Sequence, residues 1–422
     1  VIGAGVAGLC AARRLHARGV RVTLLEASDG VGGRVRSDTL EGGWTLDRGF
    51  HIFLTAYPEA QRTLDYDRLK LRKFYPGALV RHDGEFHRVA DPLRRPVDGV
   101  LTLLPSNAVG SPLDKVRVGV ARALTLLEEP YALLRKPETS IMQRVRSMGF
   151  SEAMIDRFFR PFFGGIFFDR ELGTTSRLFD WVFRMLATGE NCLPEEGIGA
   201  VPDQLVADLP EGAVRLNTRV QSVDAERRVV TLADGSEVAA PAGIVVAIEG
   251  PAARALLGEK LEAAPTNAAP GVGTACVYFG CAKSAAPLEG EEPILFLNGD
   301  GKGMVNNASV LSAVAPSYAP AGKALVSVSV LGVPDMSDEE LTEAVRGELT
   351  AWFGADKTSQ WEALAVYRVP FAQPAQAPPT DLERPVRLGA GLYVCGDHRG
   401  AATLDAAILT GHQAAEALIK DF

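Results

Sequence analysis

The chain opens with a short β-type run, Val1-Ile2, followed by a glycine-rich turn over residues 3–8 and an apolar-spaced helix over 9–18. A second β-type run, Val20-Arg21-Val22-Thr23-Leu24-Leu25-Glu26, comes next. Strand, turn, helix and strand in that order predict a βαβ unit with parallel strands. From about residue 94 to residue 185 apolar positions keep helical spacing between charged residues, with few strand runs, and this predicts a helical insertion. Strand-type runs return at 213–223, 228–232 and 244–248, then at 276–279, 325–331 and 364–367. They predict a second, mostly antiparallel layer. Leu392-Tyr393-Val394-Cys395 reads as a last short buried strand, separated by Gly396-Asp397 from a helix over about 405–419. The Pro/Ala/Gln stretch 373–379 predicts a loop, and no internal repeat is evident. The expected fold is α/β: a Rossmann-type dinucleotide-binding domain with an interleaved α+β substrate domain. The first is drawn from residues 1–75, 190–260 and 385–422, the second from residues 76–189 and 261–384.

Composition narrows the function classes. At 422 residues, 47% hydrophobic and 23% charged, the chain is long enough for two or three domains and too apolar to be disordered. Lysine plus arginine number 44 against 52 aspartate plus glutamate, a formal charge of −8, so a basic footprint for nucleic acid is missing and no nucleic-acid partner is expected. Cys10, Cys192, Cys276, Cys281 and Cys395 form no CxxC pair, which speaks against a zinc site or a disulfide framework and for a reducing compartment. The densest apolar stretch, residues 158–168, is interrupted by Arg160 and Pro161. A spanning helix is therefore not expected, while peripheral membrane contact stays open. Only Val1 and Ile2 precede the glycine turn, although strands usually run to about five or six residues. The start of that strand, and any targeting segment, are expected upstream of this sequence.

The chemistry begins at Gly3-Ala4-Gly5-Val6-Ala7-Gly8. A bare GxGxxG is weak, but this one follows a strand, opens a helix and has Glu26 at the end of the next strand, the spacing a dinucleotide site requires. Gly3 permits the turn, Gly5 lets the backbone approach a pyrophosphate, and Gly8 lets helix and strand pack closely. The helix N-terminus offers free N–H groups and partial positive charge to the phosphates. Glu26 accepts from ribose hydroxyls and repels a 2′-phosphate, which disfavours NADP. Gly30-Val31-Gly32-Gly33-Arg34 then places N–H groups and a guanidinium beside the same diphosphate.

GxGxxG paired with Gly32-Gly33-Arg34, and the later Gly391-Leu392-Tyr393-Val394-Cys395-Gly396-Asp397, resemble the superfamily of flavin amine oxidases, protoporphyrinogen oxidases and carotenoid desaturases. The resemblance implies FAD, and hence an FAD-binding domain. It places Gly396 and Asp397 by the ribityl-phosphate part, the following helix from Leu404 with its N-terminus toward the flavin ring, and the backbone of Arg219-Val220 along the adenine. A helix dipole there stabilises the anionic reduced flavin. Asp47-Arg48-Gly49-Phe50-His51-Ile52-Phe53-Leu54-Thr55-Ala56-Tyr57-Pro58 is similar to the acid-x-Gly-x-His-x-Phe-x-x-x-Tyr-Pro pattern of phytoene desaturases, and adds Gly49 to the cofactor-binding candidates. Residues 95–104, followed by Asn107 and 114–116, resemble those desaturases' membrane-face segment. That likeness implies a plastid or bacterial cytoplasm with peripheral membrane association.

The side chains leave some roles open. His51 either brings a ring nitrogen near the flavin or orients its loop, and no residue is assigned a catalytic role. Nine of the 18 phenylalanines lie between Phe150 and Phe183, where they line an apolar tunnel or fill a helical core. In Ala402-Thr403-Leu404-Asp405-Ala406-Ala407, Thr403 stands where amine oxidases of the superfamily present a tyrosine, so it leaves an open slot, caps the last helix, or both. The expected activity is FAD-dependent dehydrogenation or desaturation of an apolar, isoprenoid or carotenoid-like substrate by hydride transfer to flavin N5, with quinone or oxygen as electron acceptor. The alternatives are a flavin amine oxidase and a flavoprotein whose FAD is structural and which serves assembly.

Overall fold

A computed structural model describes residues 1–98, 108–261, 271–389 and 391–422. The βαβ reading holds, with strands shorter than the apolar runs. Ile2 bridges in parallel to both Leu25 and Val246. Leu24–Leu25 pairs in parallel with Val214–Arg215, and Ile244–Val246 with Leu392–Val394. Arg387–Gly389 adds an antiparallel edge. Helix α1 (Val6–Ala17) crosses over this sheet with its first seven residues and Leu15 buried. The run expected at 213–223 divides at Asn217, which takes a left-handed φ of 51°, a conformation asparagine tolerates. Val214–Arg215 stays in the parallel sheet, whereas Val220–Asp224 leads an antiparallel meander with Val229–Leu232 and Glu237–Ala239.

The insertion is helical. It contains α2 (Pro112–Leu126), α3 (Arg160–Phe167) and α4 (Ser176–Thr188), and α3 is entered through a π-helical turn, Ile155–Phe159. A capping box between Ser111 and Asp114 fixes the start of α2. Phe150, Phe159, Phe163 and Phe179 are buried in the core of this layer, with the rings of Phe163 and Phe179 4.7 Å apart. Beneath the helices lies a seven-stranded sheet. Its spatial order is Glu362–Pro374, Gly271–Ala282, Lys323–Leu331, Val305–Val310, Leu295–Asn298, Gly77–His82, Glu85–Ala90. Every neighbouring pair is antiparallel except Leu295–Asn298 with Gly77–His82. The strand Glu362–Pro374 runs into the stretch expected to be a loop, so Gln373 belongs to sheet rather than turn.

Helix α5 (Leu404–Asp421) returns the chain to its first helix. A Cβ at Gly411 would stand 2.4 Å from the Ala7 carbonyl oxygen, so the two helices touch backbone to backbone. Arg14 and Glu416 pair at 2.5 Å on the outside of the contact. Among the described residues no helix is long and apolar enough to cross a membrane.

Candidate active site

The glycine turn is built as its chemistry requires. Gly3 has φ +97°, and a Cβ there would lie 2.7 Å from the Ala247 carbonyl oxygen. A Cβ at Gly8 would lie 1.9 Å from Gly3 O, so the first turn of α1 packs directly on the turn before it. At Gly5 the nearest atom to an added Cβ is Gly32 O at 4.0 Å: the space in front of this residue is open. The second glycine loop is laced to the first. Gly32 N–H donates to Ala4 O at 2.7 Å, and Gly5 and Gly32 form a bridge. Glu26 turns its carboxylate back onto this turn and accepts from Ala4 N at 2.7 Å and Ser28 N at 2.8 Å.

Arg34 leaves the second loop and reaches Asp397. Its Nη2 donates to Asp397 Oδ1 and its Nη1 to the Ala372 carbonyl, each at 2.8 Å, and its guanidinium stands 5.4 Å from the centre of the Phe371 ring. Burial disfavours an ionised Asp397, but Arg34 beside it holds the carboxyl below its usual range. Asp397 follows Gly396, whose φ of +141° and hydrogen bonds with Thr410 fix the end of the last parallel strand. At the N-terminus of α5 the Thr403 hydroxyl accepts from Ala406 N at 3.1 Å. Thr403 therefore caps the helix and also lines the site.

All of these face one cavity of about 500 Å³. Gly3, Gly5, Glu26, Gly32, Gly33, Arg34, Gly49, Gly396, Asp397 and Leu404 line it, together with Thr403 and Ala407. Two of the sequence candidates do not. Gly8 lies behind the turn, and Val220 is absent from the lining. The strand crosses the end of Glu26 earlier, through Asn217 N to Ser28 O and Thr218 N to Glu26 O. Val220 packs instead with the cluster that holds Ile2 and Leu25. Beyond the cradle the cavity walls turn apolar: Leu54, Phe74, Val182, Leu186, Leu295 and Leu297. Phe162, Phe167 and Phe168 also line it, so the phenylalanine-rich stretch divides between tunnel wall and core.

Three groups of residues were not singled out from the sequence. Ala247, Ile248 and Glu249 line the cavity just past Ile244–Val246. The signal was present, because ligands bind beyond the carboxyl ends of parallel strands. Thr274 and Asn307 contribute polar groups from the sheet. The third group holds the loop carrying His51. Asp47, fully buried, accepts from Ser37 Oγ at 2.6 Å, Ile198 N at 2.9 Å and Tyr318 OH at 2.9 Å. Tyr278 OH donates to the carbonyls of Asp47 and Gly49 at 2.8 and 3.1 Å. His51 itself lines the cavity, and its Nε2 is buried without a protein hydrogen-bond partner.

The donor set suits an FAD. Open space before Gly5, N–H groups of two laced glycine loops, one guanidinium and two helix N-termini surround the place of a diphosphate, and the orphaned Nε2 of His51 marks a wall still lacking a polar neighbour. A parallel sheet with this cradle beside an antiparallel sheet roofed by helices defines a dinucleotide-dependent oxidoreductase whose cofactor cradle opens into an apolar chamber. The chain belongs to the flavin containing amine oxidoreductase family, whose profile matches residues 6–419, and it is an FAD-dependent oxidoreductase. Over its full length it is 25% identical to 15-cis-phytoene desaturase, chloroplastic/chromoplastic, of Capsicum annuum, covering 78% of that protein. Its fold is similar to that of a protoporphyrinogen oxidase-like protein from Exiguobacterium, with TM-score 0.71 and 16% identity over 100% of this chain and 98% of that one. Putrescine oxidase bound to putrescine is similar too, with TM-score 0.69 and 17% identity over 99% and 98%.

Proposed function

We propose that this enzyme dehydrogenates an apolar, isoprenoid-like substrate, removing hydride from a C–H bond, with quinone or oxygen as the final electron acceptor. The observation that carries the proposal is the continuity of the cofactor cradle with an apolar chamber walled by Leu54, Phe74, Val182, Leu186, Leu295 and Leu297. FAD held by Gly5, Gly32, Gly33, Arg34 and Asp397 supplies the two-electron acceptor. The chain supplies position and dryness. Thr403 places no aromatic ring in the lining beside the α5 N-terminus, an arrangement that suits a flat polyene. The likeness to phytoene desaturases supports the same substrate class.

Such a substrate dissolves in lipid, and α2 is built to meet it there. Every exposed residue of α2 is apolar or glycine, whereas Asp114 and Thr125 are buried. The usual distribution is inverted. This face leads inward: Arg122 Nη2 donates to Ala187 O at 2.8 Å and Arg184 Nη1 to Thr125 O at 2.7 Å. These bonds tie α2 to α4, which lends Val182 and Leu186 to the chamber. We assign the membrane contact to α2, not to the phenylalanine-rich stretch, which is turned inward. Of the segment 96–104, the part from residue 99 lies outside the described residues.

The competing reading is amine oxidation, which the fold shared with putrescine oxidase favours. Anaerobic stopped-flow bleaching of the flavin separates the two. Phytoene in detergent is expected to bleach it and a panel of amines is not, and rapid bleaching by any amine overturns the proposal.

A further inference from the structure

We infer that His51 is the catalytic base of the oxidation, the group that takes the proton which must leave the substrate together with the hydride. The inference rests on the desaturation reading above. Turning a C–C single bond into a double bond breaks two C–H bonds. From one carbon the hydrogen departs with its electron pair, as a hydride to the FAD. From the neighbouring carbon it departs as a proton to the His51 imidazole, and the pair left behind becomes the second C–C bond. The imidazolium returns the proton to solvent once the electrons have passed to quinone or oxygen. Hydride loss leaves an electron-poor carbon whose neighbour is strongly acidic, so a neutral imidazole suffices as base.

The geometry selects this residue by elimination. The loop running through Gly49, His51 and Leu54 lines the cavity from the cradle into the apolar chamber. The other titratable groups on the wall are committed or charged. Asp397 is paired with Arg34, and Glu26 with the backbone N–H groups of Ala4 and Ser28. Glu249 stands at the cradle beside Arg34, and Arg34 and Arg48 are permanently cationic. Tyr57 is stacked on Trp181, and burial pushes its hydroxyl above the ordinary phenol range. Tyr75 OH donates to Asp98 at 2.7 Å. His51 lines the wall as an imidazole with no ion pair and no side-chain hydrogen bond among the described residues. The loop is clamped at Asp47 and Gly49, just before His51, by the bonds described, which is the preorganisation a base needs.

Burial, more than any charge nearby, favours the neutral ring at rest. Burial lowers the pKa of His51, Asp47 and the carbonyl groups of Arg34 and Arg48 oppose that, and the Arg34 guanidinium adds to it. A free lone pair is then available near neutral pH. Loss of hydride from a neutral amine gives an iminium cation with no proton taken from a neighbouring carbon, so amine oxidation makes no comparable demand on His51.

The test uses the FAD-loaded enzyme. In His51→Gln, FAD bound per chain and phytoene binding should match wild type, while anaerobic bleaching by phytoene slows about 100- to 10,000-fold. Added imidazole should restore bleaching to His51→Ala. A second readout needs no variant: in 15N-histidine-labelled wild type, the resonance of His51 should be neutral at rest and move to the imidazolium position after anaerobic reduction by phytoene. Wild-type bleaching rates in His51→Gln, or a His51 resonance that stays neutral after reduction, overturn the inference and leave the desaturation reading standing. If phytoene fails to bleach the wild-type flavin, the desaturation reading fails and the inference falls with it.

Discussion

The outward face of α2 makes the most exposed commitment. Leu113, Val116, Val120 and Leu124 are 55%, 59%, 52% and 48% exposed, with Leu126 at 42% and Leu127 at 82%. Full burial of such a side chain is worth about 1.5–3 kcal/mol, so these half-covered ones have about 1 kcal/mol each left to gain. Allowing for incomplete immersion at the headgroup boundary, the six together supply about 3–5 kcal/mol, and roughly half resides in Val116, Val120 and Leu124. Replacing those three by glutamine removes the apolar gain while keeping a good helix former at exposed positions, so the fold is unaffected. Because 1.4 kcal/mol is tenfold, the triple variant should bind vesicles about 10- to 50-fold more weakly. Flotation on phosphatidylcholine vesicles, with and without anionic lipid, measures the ratio, and the wild type should float at low and high salt alike because burial drives the contact. Equal flotation of variant and wild type refutes the assignment to α2. Failure of the wild type to float with either vesicle refutes the membrane claim altogether.

Four further outcomes follow from the cradle. Gly5→Val fills the open space in front of the turn, so the purified variant should lose the yellow flavin absorbance at unchanged secondary structure. Arg34→Ala leaves Asp397 buried without its partner; a loss of about 3 kcal/mol is expected in denaturant unfolding, with weaker FAD binding by titration. The pH dependence of the same pair has a fixed sign: the folded pKa of Asp397 lies below the ordinary 3.8, so its stabilisation is whole above about pH 4 and is lost as the pH falls through the lower folded value. The gap in Tm between wild type and Asp397→Asn should therefore be constant near neutrality and close only in acid. Thr403→Tyr should slow flavin bleaching by phytoene, while Thr403→Ser, which keeps the cap on α5, should leave it unchanged; faster amine turnover in the tyrosine variant would favour the amine reading.

What the sequence disclosed was local. Gly3, Gly5, Glu26 and Arg34 are tied to one another by spacing along a βαβ unit, and a short-range pattern suffices to find them. The surroundings of His51 were beyond reach for the opposite reason: the donors that fix Asp47 come from Ser37, Ile198 and Tyr318, the last 271 positions away. Periodicity marked apolar positions in the helical insertion, but a period of 3.6 says how far apart they lie and not which way they point. The outward face of α2 and the inward phenylalanines look alike to it. Val220 lies outside the cavity lining, beyond a break at Asn217 that the apolar run 213–223 hides and only backbone geometry reveals.

The contact of α1 with α5 also bears on the order of events during synthesis. Arg14 waits for Glu416, 402 positions later, and the Ala7 backbone for Gly411. Until that stretch has left the ribosome, the glycine turn has no Asp397, no opposing helix and no capped N-terminus at Thr403. A nascent chain therefore carries half a cradle until residues 396–411 have emerged, with its apolar chamber walls already made and unsealed. Flavin loading waits for that stretch, and cells short of riboflavin should accumulate this protein as a chaperone-bound, protease-sensitive species rather than as a folded colourless one.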